Sequence, residues 1–226
     1  LFYATTFGML HAAAAAQIAF PSENRSTPIR RWMLVQQACL VAWCVAFAYA
    51  EGPSTRIAWA VLGMAAVAAA PYWYLMGALL TSEWPHLSRR VQRSLPQSTI
   101  GRAFLTWMNP GPGTGYMFVA ANLTSLVVLG IVGVAVAYGS PQMAGVENVG
   151  YAAALGWGYV LAYLGFGRLL INSLRRFAFV PLSGGFLIHI ILVCFGVGAP
   201  LVLQVISNRF QSAGGYTAMH MSNPFW

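Results

Sequence analysis

Lysine and aspartate are absent from this chain. The charge that remains is 12 basic residues, all Arg, and four acidic residues, all Glu, in 226. Charged residues make up 7% of the sequence, against about 25% in soluble domains. Hydrophobic residues make up 58%. A soluble fold of this size would have too little polar surface to stay dissolved, so the composition points to an integral membrane protein. Scarcity of acid also excludes chemistry. Hydrolases need a nucleophile with a base and an orienter, and four loop Glu with four scattered His supply that poorly. The chain reads as a non-enzyme. No carboxylate falls inside an apolar run, so ion-coupled transport lacks its usual ligand. Cysteine is scarce too. Cys39, Cys44 and Cys194 all lie in apolar runs, at spacings that suggest neither a disulfide nor a zinc clip. Neither a cofactor nor a metal site is assigned.

What is present is a set of long apolar runs. A helix needs about 20 apolar residues to cross the hydrocarbon, and six stretches qualify: Leu1–Phe20, Trp32–Ala50, Ile57–Leu80, Tyr116–Tyr138, Val149–Phe166 and Phe186–Ile206. They are too long, and too weakly alternating, for strands. The expected fold is all-α: a polytopic bundle of about six spans and a short interfacial helix, forming one transmembrane domain over residues 1–226. The chain opens mid-pattern and stops at Asn223-Pro224-Phe225-Trp226, which reads as a fragment of a longer polytopic chain.

The loops alternate in charge. The first carries Arg25, Arg30 and Arg31 against Glu23. The third, Thr81–Gly115, carries Arg89, Arg90, Arg93 and Arg102 against Glu83. The fifth carries Arg168, Arg175 and Arg176 with no acid. Positive residues stay in the cytoplasm, so these three loops face inward. The +8 balance then fits anionic lipid rather than nucleic acid. Small residues four apart, as in Ala154, Gly158 and Ala162, Ala12 and Ala16, or Ala66 and Ala70, read as helix-packing faces. Trp32, Trp59, Trp73, Trp84 and Trp107 fall near the expected interfaces.

Within the third loop, Ile100, Ala103, Phe104, Trp107 and Met108 recur at helical spacing. They read as an amphipathic helix in the membrane interface, capped by Ser98 or Thr99 and ended by Pro110. Gly111, Gly113 and Gly115 follow. Glycine-rich turns before helices can cradle phosphate, yet no P-loop Lys follows and no strand precedes. The turn reads as a hinge into the span at Tyr116.

Polar residues inside the apolar runs are few. Gln36, Gln37 and Asn122 can line a solute path or bond across helices. His11 and His189 lie on different helices, and either ligate a haem between them or stay neutral and hydrogen-bonded.

Two stretches carry a family resemblance: Ser22–Arg31 leading into Met33-Leu34-Val35-Gln36-Gln37, and the interfacial helix with its Asn109-Pro110-Gly111 exit. The arrangement resembles the membrane permease subunits of ABC-2-type exporters. The closing Asn-Pro-Phe-Trp resembles the lead-in to a further span there. The chain departs from the simplest six-span plan of that family in its long third loop and its two outside ends. The resemblance implies a multi-pass protein of the bacterial inner membrane. It would pair with a cytoplasmic ATPase and would allow a homodimer, with Glu23, Arg25, Arg30 and Arg31 as partner contacts. The competing reading is a non-transporting anchor or assembly subunit of a redox complex, with haem between His11 and His189.

Overall fold

The computed structural model describes residues 2–18, 26–51, 56–83, 98, 106–137, 146–199 and 202. These form six α-helices and no strand. The helices are α1 (Phe2–Ile18), α2 (Ser26–Glu51), α3 (Arg56–Thr81), α4 (Pro112–Ala137), α5 (Val146–Leu174) and α6 (Leu182–Val193). A single 3-10 turn, Thr106–Met108, precedes α4, and α6 runs into a wider π-type turn, Cys194–Gly198. The all-helical class is therefore as the apolar runs suggest, with one helix on each run. Two of the helices are long and apolar enough to cross a membrane by length and composition, among the described residues: α4 over Pro112–Val132 and α5 over Gly150–Leu174.

Helix α3 is the centre of the bundle and packs against α2, α4, α5 and α6, while α1 lies along α2. The core is built where Trp73, Ala78 and Leu80 of α3 meet Phe118, Val119 and Leu123 of α4 and Leu164 of α5. Met33 joins from α2 and Ala12 from α1. Gly77 permits this approach, because a Cβ there would stand 2.5 Å from a Leu164 methyl. Trp73, expected near an interface, is instead 1% exposed and meets Phe118 edge-on at 6.0 Å. Trp59 and Trp84 lie outside the residues whose side chains are described.

The apolar surface is turned outward as well as inward. Phe7 of α1, Trp43 of α2, Ile131 of α4 and Phe166 of α5 are all exposed. The small-residue face expected on α5 is also outward. Ala154 and Ala162 are exposed, and nothing lies within 4 Å of where a Gly158 Cβ would sit. The face that α5 buries is Ala153, Val160, Leu164 and Ile171, bulkier residues on the other side of the same helix. On α1 the expectation holds better: Ala12 is buried and Ala16 packs against the core. The Ala66 side chain lies outside the described residues.

Antiparallel helices bring alternate loops to a common end. The start of α2, the end of α3, the start of α4 and the end of α5 meet there, joined by hydrogen bonds of side chains and backbone. These segments belong to the first, third and fifth loops, the three that carry most of the arginine.

Candidate functional site

Helix α2 begins at Ser26, six residues before the apolar run at Trp32. Arg30 is therefore already on a helical turn, on the face that also buries Ser26, Ile29 and Met33. Its side chain is 0% exposed. A buried guanidinium needs hydrogen bonds and a counter-charge, and this one has both at its terminal nitrogens, while its buried Nε has no partner among the described residues. One terminal nitrogen donates to the carbonyls of Trp107, at 2.6 Å, and Asn109. The other donates to Glu83 Oε2 at 3.0 Å. The Phe118 ring lies beneath, its centroid 5.8 Å from Cζ.

The inward-turned carbonyls come from the 3-10 turn and the residues after it. The Thr27 hydroxyl donates to the Met108 carbonyl, which ties the same segment to α2 a second time. Pro110 and Pro112 lack N–H groups. Gly111 between them takes φ +138°, the one positive φ among the described residues. That conformation belongs to glycine, and it points the Gly111 N–H at Glu83 Oε2, 2.6 Å away. Pro112 then opens α4 at the first helical position, where a missing N–H costs nothing. Thr114 closes the first turn by donating to the Asn109 and Gly111 carbonyls.

These contacts decide what the glycine-rich turn does. An anion does sit at the start of α4, and it is the chain's own Glu83 carboxylate. The position a phosphate would take is filled from within. The interfacial helix expected before it falls on residues 99–105, outside the described residues; its last residues are the 3-10 turn.

Arg175 completes the end of the bundle. Its two terminal nitrogens donate to the Ser82 carbonyl at 2.6 Å and the Glu83 carbonyl at 2.9 Å. A cation at the C-terminal end of α3 satisfies orphan carbonyls and complements the helix dipole. Burial is the main influence on every charge here. It pulls Arg30 and Arg175 below the usual guanidinium value, opposed at Arg30 by Glu83. It pushes Glu83 above the usual carboxylate value, opposed by the Arg30 charge and the Gly111 N–H.

Arg30 thus sits inside, in contrast to the partner-facing position expected of it. Arg31 is exposed, and Glu23 and Arg25 lie outside the described residues. Glu83 and Arg175 escaped the sequence reading as site residues. Glu83 had a positional signal, as the lone acid of its loop, whereas nothing in the sequence sets Arg175 apart from Arg168 and Arg176.

Gln36, Gln37 and Asn122 bond between and along helices. Gln36 donates to Thr6 of α1 at 3.3 Å and accepts from the Tyr72 hydroxyl of α3. Gln37 donates to the Asn122 carbonyl at 3.3 Å and to Ser125 Oγ at 2.9 Å, both on α4. The Asn122 amide returns to Phe118 of its own helix.

The two histidines are not brought together as a ligand pair. His11 is exposed on α1, beside Phe7. His189 is 0% exposed and its Nε2 meets Thr81 Oγ1 at 2.7 Å. The Thr81 hydroxyl also donates to the Gly77 carbonyl of its own helix at 2.7 Å. Nδ1 faces Gly167, where even a Cβ would stand 2.2 Å away, which leaves no room for a metal. Among the described residues, no three His, Cys, Asp or Glu side chains gather as a metal site would require.

No protein-family model, no curated protein and no solved structure matches this chain. The arrangement of its own residues is what bears on its function: a buried ionic clasp, bonded through the terminal nitrogens of Arg30 and Arg175, that fastens four helix ends, on a molecule whose sides are apolar.

Proposed function

We propose that the chain crosses the membrane six times. In this reading it is the permease subunit of an ATP-driven, ABC-2-like transporter, energised by a separate cytoplasmic ATPase. The observation that carries this reading is the clasp. A protein that relays force from a cytoplasmic motor needs its helix ends on that side to move as one body. Arg30 and Glu83 couple α2, α3 and α4, and Arg175 adds α5. Arg31, next along from Arg30, is exposed on the first turns of α2, so a push delivered there passes directly into the clasp. The outward-facing apolar side chains on α1, α2, α4 and α5 support burial in lipid, since soluble monomers rarely expose contiguous patches of this kind.

The test is mass spectrometry of what co-purifies with the tagged chain in mild detergent. A stoichiometric ATPase is the expected result. A redox partner with no ATPase would overturn the permease reading and favour an anchor subunit. In that case the closed surroundings of His189 argue that any haem is carried by the partner.

A further inference from the structure

The turn between α5 and α6 divides its charged residues between two tasks. Arg175 faces inward and is committed to the end of α3. Arg176, next in sequence, is exposed, as are the rings that follow it, Phe177 at 89% and Phe179 at 77%. The turn is not slack. The Arg176 N–H donates to the Ser173 carbonyl, and those of Phe177 and Ala178 both donate to the Leu174 carbonyl. One guanidinium and two aromatic rings are therefore held out together from a braced turn. Nothing acidic lies between Gly167 and Gly185.

We propose that this turn is a binding site for an anionic lipid headgroup in the leaflet on the clasp side. Arg176 pairs with the phosphate while Phe177 and Phe179 seat in the acyl boundary beside it. The chemistry is complementary on both counts. A guanidinium recognises phosphate through paired N–H donors, and apolar rings beside a basic group suit the headgroup boundary. Anionic lipid at the cytoplasmic surface attracts basic segments next to the membrane. Because Arg175 ties the turn to Ser82 and Glu83, a lipid bound here also braces the clasp. The inference rests on the membrane reading above.

The experiment reconstitutes the full chain into vesicles of phosphatidylcholine alone and of phosphatidylcholine with phosphatidylglycerol. It then counts the lipids retained on the released protein by native mass spectrometry. The wild-type chain should retain phosphatidylglycerol over phosphatidylcholine. The combined variant Arg176→Gln, Phe177→Ala, Phe179→Ala should lose that preference by about fivefold or more, the factor one arginine near an anionic surface supplies. Arg176→Lys with Phe177→Leu and Phe179→Leu should keep most of it. Arg176→Gln alone, at an exposed position, guards against misfolding of the combined variant and should lose part of the preference. No wild-type preference, or full retention in both Gln-containing variants, overturns the inference while leaving the membrane reading intact. A wild-type chain that enters neither vesicle overturns both.

Discussion

At the scale of single residues, the organising fact is one buried arginine. Lysine would not serve in its place, because a single ammonium on a flexible stem cannot hold two carbonyls and a carboxylate in fixed directions at once. Removing Arg30 leaves a carboxylate and two or more carbonyls without their donor. Breaking a buried pair in this way costs about 3–5 kcal/mol. Arg30→Met should therefore destabilise strongly, whereas Glu83→Gln, which keeps an acceptor for Arg30 and Gly111, should cost clearly less. Denaturant titration in micelles ranks the two, and an equal or reversed order would show that Arg30 is not the keystone. Glu83 gives a second readout. Burial raises its pKa above the ordinary 4.5, so the folded state holds this proton to higher pH than the unfolded chain does. Stability from this group is present below the ordinary value and is lost as pH rises through the folded value. The stability of wild type relative to Glu83→Gln should thus decline as pH rises above the ordinary carboxylate value of 4.5. A flat difference would mean that the carboxylate titrates normally.

At the scale of elements, three glycines two residues apart have three separate reasons to be glycine. Gly111 adopts a φ that side chains resist. Gly113 leaves space that the flexible end of Arg168 occupies, 3.2 Å from where a Cβ would sit. Gly115 lies against the backbone of Leu80, whose carbonyl oxygen would be 2.7 Å from an added Cβ. Alanine substitutions should separate them. Gly115→Ala forces α4 from α3, and Gly111→Ala strains the backbone at a cost of about 1–3 kcal/mol. Gly113→Ala should be mild, because only an arginine tip must shift. Thermal unfolding of the three variants checks the order, and a severe Gly113→Ala would contradict it. The sequence made the hinge legible, since Pro-Gly-Pro-Gly before an apolar run can hardly continue a helix. It could not assign the glycines, because the partner at Gly115 is 35 positions away. The same limit misplaced the α5 packing face. Ala154, Gly158 and Ala162 have packing spacing, but spacing alone cannot tell an inward stripe from an outward one. Arg30 was misread for a related reason. Three arginines in one loop look alike until the helix start is known, and α2 starts six residues earlier than the apolar run.

At the scale of the whole molecule, the sequence bounded the all-helical class well, because long apolar runs without strict alternation fit helices and not strands, and two of the described helices are long and apolar enough to cross a membrane. Alternation of basic and neutral loops encodes more than orientation. It requires the first, third and fifth loops to share one end, and the contacts among Arg30, Glu83, Gly111 and Arg175 have that arrangement. Whether that end and the opposite one lie on two sides of a bilayer is a question of length and access. Gly150 and Arg176 are 26 residues apart, nearly all along α5, which spans about 39 Å at the helical rise. That exceeds the roughly 30 Å of hydrocarbon, so both ends of α5 should reach water. In a background with Cys39, Cys44 and Cys194 replaced, Arg31→Cys and Arg176→Cys should react with an impermeant maleimide from the same side of sealed vesicles. Gly150→Cys should react only from the other side, and it is well suited to the test because nothing lies within 4 Å of its Cβ position. Opposite sidedness for positions 31 and 176 would break the six-span topology. Labelling of all three from one side would remove α5 from the membrane altogether, and the clasp would then have to be understood as the core of a different assembly.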